Sequence, residues 1–266
     1  MMKIPVESWY EAIHSRRSRR VYQPIRVPPD KLGRLSAVCQ NFRPFPEVRT
    51  DLVNEPGENV YRGFIGSYGK IIQAPGYIAF IGNMDSPRVQ EAVGYTGEGI
   101  ILEATALGLG TCWVGGYFHP QAVARRIPIE KNERILAITP FGVPHDSFSF
   151  QEKLMWGFGY MHRRKSLEEL VVSGSPDQEW MKIALEAARL APSAVNRQPW
   201  RFVCGENSIS IKLDKSRDTY KISRRLDCGI AMLHLELGAR SSGMDGDWTF
   251  PSDVVACFIA GSCRGT

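Results

Sequence analysis

The sequence lacks several features that would each assign it to a class of protein. In its 266 residues no apolar run reaches 18, so we expect no membrane-spanning helix. The six cysteines form no CxxC pair and the five histidines lack metal-ligand spacing, so we expect reduced thiols and no metal site. The opening segment, Met1–Glu7, has no apolar signal-peptide core, and we therefore expect a cytoplasmic protein.

The composition is that of a folded protein. Hydrophobic residues make up 43% of the chain and charged residues 23%, enough for a packed core in one large domain or two small ones. The net charge of +5 is only mildly basic, and the arginines lack the interleaved aromatic residues typical of a nucleic-acid-binding surface. We therefore expect neither a nucleic acid nor a membrane as partner.

The positive charge is concentrated in two runs, Arg16–Arg20 and Arg163–Lys165. Runs of this kind are usually solvated basic faces. Alternatively, two separate runs could meet at one phosphate group, because the guanidinium fork pairs with two phosphate oxygens at once. The pattern alone leaves both interpretations open.

A helix, a loop and a strand are predicted in succession over residues 180–202. Apolar positions over 180–190 favour a helix, and Pro192 ends it because proline lacks an N–H group. A strand is expected to open at Trp200. The loop either reads the edge of a flat heterocycle or is a hydrogen-bonded turn without a ligand. Its side chains that can both donate and accept hydrogen bonds are Ser193, Asn196 and Gln198.

Two apolar segments resemble each other, since Gly99–Gly108 and Gly229–Gly238 superpose with a shift of 130 positions. Apolar residues surround most of each segment, which predicts two helices buried at the centre of the molecule. Each helix is expected to end at its last glycine. Strands are predicted after them over Ile135–Phe141 and Val254–Ile259. The repeated order of elements favours a diverged internal repeat.

A cluster of small, polar and turn-forming residues, Val172–Asp177, predicts a boundary between two halves, residues 1–172 and 173–266. A short terminal helix is expected just before it, over Leu167–Val172. The first half also contains a segment rich in glycine and proline, Asn54–Gly76. We interpret it as a long loop that lies over another part of the molecule, such as a lid.

The segment Ala106–Gly116 is predicted to end the first central helix and to enter a strand. Gly115 and Gly116 would leave their backbone N–H groups open to a ligand, because no Cβ atom stands in the way. A glycine pair is also typical of a bulge or bend, and this alternative stays open.

Five segments together resemble motifs of the flavin-dependent nitroreductase family. The most specific likeness is that of Ala191–Trp200 to the family's flavin-edge loop, and we call this segment the edge loop. The family's phosphate motif resembles Arg16–Tyr22, and its glycine segment resembles Gly108–Gly116. The strand end that follows the glycine segment resembles Gly142–Pro144, and the family's basic tail resembles Arg163–Leu170. The resemblance implies FMN as cofactor.

The order of these motifs departs from that of ordinary family members. In those proteins the edge loop precedes the glycine segment, and each of two sites in a homodimer takes its loop from the partner subunit. Here that place holds Val38–Pro46, which lacks the motif's serine and asparagine, and the intact loop follows the basic tail. The resemblance therefore implies a three-layer α+β fold of two diverged repeats that form an intramolecular pseudo-dimer, in a monomer with one composite site.

The resemblance also implies which residues bind FMN. Flavin N5 carries the redox chemistry, so no catalytic side chain is expected, and the N–H of Gly116 would meet N5. The phosphate would be bound by Arg16, Arg17, Ser18 and Arg20 with either Arg163 or Lys165. The remaining cofactor contacts would come from Gly115 and Gly116 and from Pro192, Ser193, Ala194, Asn196 and Gln198 of the edge loop.

The implied activity is that of an oxidoreductase. NAD(P)H would reduce the flavin, and a small electron-poor acceptor such as a nitroaromatic or a quinone would then take the electrons. The alternative is a flavin-binding protein without turnover, in which the loss of one site accompanied the loss of catalysis.

Overall fold

The computed structural model describes residues 2–57, 59–61, 70–145, 163–218 and 222–261. Within these ranges the chain forms seven α-helices and nine β-strands. The helices are α1 (Val6–Ser15), α2 (Pro29–Asn41), α3 (Val89–Ala106), α4 (Pro120–Ala124), α5 (Leu167–Leu170), α6 (Glu179–Arg189) and α7 (Arg224–Ser241). The strands are β1 (Val48–Val53), β2 (Gly76–Asn83), β3 (Gly110–Thr111), β4 (Glu133–Gly142), β5 (Val171–Ser173), β6 (Trp200–Cys204), β7 (Ser208–Leu213), β8 (Gly246–Thr249) and β9 (Ala256–Ala260).

The strands lie in two sheets, and the architecture is α+β. The first sheet has the order β1-β2-β4-β3, with antiparallel pairs throughout. The second has the order β5-β6-β7-β9-β8, in which β5 pairs with β6 in parallel and the other pairs are antiparallel. Apart from β5, the two sheets share one strand order, and each has a long helix inserted between its second and third strands along the chain.

The helices α3 and α7 pack against each other at the centre of the molecule. Both are buried around most of their circumference, which confirms the sequence prediction. Glycines allow their backbones to approach closely, because a methyl group on Gly94 would overlap the carbonyl oxygen of Leu226 and one on Gly229 would overlap that of Glu91. The resulting core is continuous and also includes residues of α1, α2 and α6.

The two central helices end in the same backbone motif. Gly108 and Gly243 have φ angles of +73° and +83°, in the left-handed region that favours glycine. The residues that follow them, Leu109 and Met244, donate their N–H groups to carbonyls five positions back, at 2.8 and 3.0 Å. In this motif Gly108 matches Gly243, which lies 135 positions later in the chain. The superposition of Gly108 on Gly238 was therefore wrong by five residues.

Gly238 lies inside α7, not at its end, because the helix continues to Ser241. Its role is close packing against α6: a Cβ atom at this position would lie 2.7 Å from the Cα atom of Ala184. The sequence pattern could not distinguish a glycine that ends a helix from one that lets two helices approach.

Most of the predicted elements are confirmed. The helix predicted over 180–190 is α6, and the strand after the edge loop opens at Trp200. The two strands predicted after the central helices are β4 and β9.

The short helix predicted over Leu167–Val172 is wrong at its end. The helix α5 ends at Leu170, and Val171–Ser173 forms β5 beside β6. Valine favours a strand where its branched side chain can pack, and the edge of β6 supplies the pairing partner. Since β5 spans the predicted boundary at residue 172, the end of the first half belongs to the second sheet. The division into two halves stays a prediction.

The predicted lid, Asn54–Gly76, falls partly outside the described residues, which omit 58 and 62–69. Its last part runs beside the phosphate motif, where the N–H of Ile72 donates to the carbonyl of Arg20 at 2.8 Å. Its function as a lid stays a prediction. Of the helices in the described ranges, none combines the length and the apolar character needed to cross a membrane.

Candidate functional site

A cleft lies where three distant parts of the chain meet: the glycine segment, the edge loop and the first turns of α7. The cleft is partly open to solvent. Its lining residues are Ser18, Arg20, Ile71, Cys112, Trp113, Val114, Gly115, Gly116, Tyr117, Pro192, Ser193, Ala194, Val195, Ile222, Leu226, Asp227 and Ile230.

The cleft brings together about half of the residues that the sequence nominated. Those that line it are Ser18, Arg20, Gly115, Gly116, Pro192, Ser193 and Ala194. The other nominated residues do not line it: Arg16, Arg17, Arg163, Lys165, Asn196 and Gln198.

The glycine segment is held against the first sheet just before it reaches the cleft. The backbone groups of Val114 and Ile138 exchange two hydrogen bonds of 2.9 Å, which tie the segment to β4. Gly115 follows directly, and a Cβ atom there would lie 3.2 Å from the side chain of Ile222. A glycine at this position therefore keeps this wall of the cleft thin.

The phosphate motif reaches the cleft by running beside β3. Ser18 forms a parallel bridge with Thr111, and the N–H of Arg19 donates to the carbonyl of Thr111 at 2.7 Å. This pairing brings Ser18 and Arg20 to one end of the cleft, whereas the guanidinium of Arg19 donates to the carbonyl of His145 at 2.8 Å.

The edge loop has a strained backbone. Val195, Asn196 and Gln198 have φ angles of +50°, +54° and +47°, a region that residues with a side chain rarely adopt. Two hydrogen bonds help to hold the loop. The N–H of Gln198 donates to the hydroxyl of Ser193 at 3.0 Å within the loop, and the N–H of Ala194 donates to the carboxylate of Asp227 on α7, also at 3.0 Å. Strain of this kind persists where the surroundings hold it in place, and it is concentrated at functional sites.

Asp227 anchors the edge loop to α7, and the sequence reasoning did not find it. Its carboxylate is 1% exposed and also accepts a 2.6 Å hydrogen bond from Nε of Arg197. Burial raises the pKa of Asp227 to about 6, while the positive charge of Arg197 opposes the shift. An acidic residue in the first turn of a helix is too common in sequences to signal this role.

The amides of Asn196 and Gln198 tie the basic tail to the edge loop. Gln198 donates from Nε2 to the carbonyl of Arg163 at 2.9 Å and accepts from the N–H of Lys165 at 2.8 Å. Asn196 donates from Nδ2 to the same carbonyl at 3.0 Å. Lys165 extends its ammonium group to the carbonyls of Arg197 and Gln198, each at 3.2 Å. These predicted residues therefore bond to protein atoms that position the site.

Arg164, which lies between the two cations that the sequence nominated, is the tail residue that faces Arg16. Its guanidinium donates to Oδ1 of Asn196 at 2.6 Å and to the carbonyl of Leu190 at 3.0 Å. Burial, together with the positive charge of Arg16, lowers the pKa of Arg164 to about 10. Three adjacent cations in a loop offer no sequence signal for which one turns inward.

Arg16 is a buried cation without a hydrogen-bond partner for its Nε atom among the described residues. Only 8% of the residue is exposed, and the carboxylate of Glu98 lies 3.8 Å from Nε, beyond hydrogen-bond distance. Burial lowers the pKa of Arg16, Glu98 opposes the shift, and Arg17 and Arg20 add positive charge. The site therefore concentrates positive charge beside the cleft.

The arginine cluster of Arg16, Arg17, Arg20 and Arg164 suits an anion. In the described part of the chain, His, Cys, Asp and Glu side chains form no group of three that could hold a metal ion.

The family model described as "Putative TM nitroreductase" matches residues 8–239. The chain belongs to the TM nitroreductase family. A crystal structure of a "putative nitroreductase" from Thermotoga maritima aligns over 97% of this chain and 96% of that one, with 21% identity and a TM-score of 0.64. The two proteins therefore share a fold over their whole lengths. Membership of the family makes the protein an oxidoreductase.

Other solved nitroreductases align over about half of the chain. A nitroreductase family protein from Clostridium novyi NT aligns over 57% of this chain and 91% of that one, with 21% identity and a TM-score of 0.45. A nitroreductase with bound FMN from Bacteroides fragilis NCTC 9343 aligns over 53% of this chain and 91% of that one, with 15% identity and a TM-score of 0.42. No curated protein matches the chain.

Proposed function

We propose that this member of the TM nitroreductase family is an FMN-dependent oxidoreductase. NAD(P)H would reduce the flavin, and a small electron-poor acceptor, such as a nitroaromatic or a quinone, would reoxidise it. The observation that carries the proposal is Arg16, a buried guanidinium whose Nε has no hydrogen-bond partner among the described residues and which lies beside the cleft.

The residues present fit the phosphate of FMN. That group carries a charge between about −1.5 and −2 at neutral pH and offers several strong acceptor oxygens. Arg16, Arg17, Arg20 and Arg164 supply positive charge, and Glu98, which lies beside Arg16, is paired with His234. A phosphate oxygen would give the buried Nε of Arg16 the acceptor that it lacks, and charge-assisted bonds of this kind are the strong ones.

The walls of the cleft suit the rest of the cofactor. FMN, when bound, supplies hydride transfer at N5, so the protein needs to position the ring and leave one face open. Gly115 and Gly116 offer backbone on one side, and Ser193 and Ala194 of the strained edge loop lie on another. The apolar side chains of Leu226 and Ile230, on α7, exclude water from the same space.

We also propose that the chain is an intramolecular pseudo-dimer of the halves 1–172 and 173–266, monomeric and with one FMN. The proposal is supported by the shared strand order of the two sheets and by the matching ends of α3 and α7. With the offset of 135 positions, Gly115 corresponds to Phe250 and Gly116 to Pro251. Phe250 packs against Phe45 with ring centroids 6.2 Å apart, and Pro251 has no N–H to offer a ligand.

The test of the proposed activity is spectroscopic. The purified protein should be yellow or should take up added FMN, NADH or NADPH should bleach the flavin absorption anaerobically, and a quinone or nitroaromatic should restore it. A bound flavin that neither nucleotide reduces would support the alternative of binding without turnover. A protein that binds no FMN at all would contradict both.

A further inference from the structure

Behind the arginine cluster lies a buried network centred on Glu98 of α3 and His234 of α7. Both side chains are fully buried, and His234 Nε2 lies 3.0 Å from Oε1 of Glu98. The other carboxylate oxygen accepts a 2.7 Å hydrogen bond from the indole N–H of Trp113. Arg16 Nε lies 3.8 Å from Oε1 of Glu98. The network thus connects both central helices with the phosphate motif and the glycine segment.

The geometry fixes the number of protons in the pair. His234 Nδ1 lies 3.1 Å from the carbonyl oxygen of Ala187, which can only accept, so Nδ1 carries a hydrogen. His234 Nε2 faces a carboxylate oxygen at hydrogen-bond distance, so a second hydrogen must lie between these two atoms. Wherever that proton resides, Glu98 and His234 together carry no net charge.

A neutral pair leaves the charge of Arg16 uncancelled. Charges that act on this region among the described residues include Arg16, which follows α1, and Arg164 from the basic tail, and both are cations. If the pair lacked its shared proton, Glu98 would be a full negative charge beside Arg16 and would compete with an anionic ligand for it.

We propose that Glu98 and His234 are positioning residues for the phosphate of the cofactor. Their shared proton keeps Arg16 available to the phosphate, and Glu98 fixes the indole of Trp113, which lines the cleft two residues before Gly115. The inference rests on the proposed function, because it takes FMN as the ligand.

The test compares FMN with riboflavin, which has the same ring and no phosphate. In the full-length chain, His234→Gln leaves Glu98 as an uncompensated carboxylate. FMN affinity should fall by at least about tenfold, since one unit charge acts through an effective dielectric of about 20, while riboflavin affinity stays within experimental error. The double variant Glu98→Gln/His234→Gln restores a neutral pair and should regain the preference for FMN.

Glu236 offers a matched control. It is also a buried carboxylate that accepts from an indole, that of Trp248 at 2.7 Å, but its cation is Arg240 at 2.9 Å, within the same helix. Glu236→Gln should leave the ratio of FMN to riboflavin affinity unchanged. Equal losses for both ligands in His234→Gln, or a double variant at least as weak as the single one, would show a structural role only and overturn the proposal.

Further measurements distinguish a failure of the proposed function from a failure of the positioning role. In the wild-type protein, NMR should detect a slowly exchanging proton in the hydrogen bond between His234 Nε2 and Glu98, on either atom, as well as one at Nδ1. The absence of any proton in that hydrogen bond would contradict the inference even if a variant fails to fold. If the wild type binds neither FMN nor riboflavin, the proposed function fails. If it prefers FMN through Arg16 but His234→Gln keeps that preference, only the positioning role fails.

Discussion

At the scale of single residues, roles at this site follow from which atoms a side chain can reach. Asn196 and Gln198 have the side chains expected of ligand-reading amides, yet each forms hydrogen bonds that join the basic tail to the edge loop. Arg16 is buried, Arg164 is partly buried, and their positive charges interact. The residues that we propose to bind the cofactor and those that hold them in place are therefore interleaved along the same short segments.

The phosphate motif supplies the first prediction. Arg16→Ala should weaken FMN binding by about 1.5–3 kcal/mol, the size of a charge-assisted hydrogen bond. Arg19→Ala should have a much smaller effect, because its guanidinium donates to the carbonyl of His145, outside the cleft. Quenching of flavin fluorescence measures both affinities. Equal losses would indicate a diffuse basic surface.

The basic tail supplies the second. Arg164→Ala should weaken FMN binding by about 1–3 kcal/mol, because it removes a buried cation and leaves the amide oxygen of Asn196 without its donor. Arg163→Ala is the matched control, since the Arg163 side chain is exposed and its backbone carbonyl makes the bonds to the loop. Isothermal titration with FMN distinguishes them, and a larger loss for Arg163→Ala would show that the tail is oriented differently in solution.

Asp227 supplies a prediction on pH. Its folded pKa of about 6 lies above the ordinary value of about 3.9, so between these values the folded state binds the extra proton. Its contribution to stability is therefore fully present below about pH 4 and is lost as pH rises through about 6. Relative to Asp227→Asn, the wild type should have its largest advantage in melting temperature at low pH. A difference that is constant from pH 4 to 7 would contradict the shift.

At the scale of elements, the crossing of α3 and α7 depends on absent side chains. Gly94→Ala should lower the free energy of unfolding by about 3 kcal/mol or more, because the new methyl group meets the backbone of α7 and cannot be relieved by a rotamer change. Gly33→Ala in α2 is the control. Nothing lies within 4 Å of a Cβ atom there, and the reduced freedom of the unfolded chain should stabilise the protein by about 0.4–1 kcal/mol. Denaturant unfolding measures both, and equal effects would exclude the close crossing.

At the scale of the whole molecule, one cofactor per chain is expected. The region equivalent to the cleft on the opposite side is occupied by aromatic side chains: Phe250 packs against Phe45, which also contacts Tyr95 with centroids 5.3 Å apart. Titration of the flavin-free full chain with FMN should therefore reach its endpoint at one equivalent. Gly115→Phe, which copies Phe250 into the cleft, should abolish binding while the protein stays folded. An endpoint at two equivalents would contradict the proposal that only one of the two sites binds FMN.

The sequence by itself determined the elements whose signals are local. Proline after an apolar helix and a β-rich run after a second proline were enough for α6 and β6, whereas the phosphate motif and the edge loop stay predictions as binding segments. Such patterns act through backbone sterics and hydrophobic periodicity within a few residues, so they can be read without knowing the fold.

The tertiary structure decided what depends on partners far away in the chain. Contacts between distant segments decide four features. They are the inward orientation of Arg164, the position of the glycine that ends α7, the strand at Val171–Ser173 and the pairing of Glu98 with His234. A buried charge or polar group is stable only beside a specific partner, and a glycine's role depends on what lies against it. That information resides in the packing of α3 against α7 and of the tail against the edge loop.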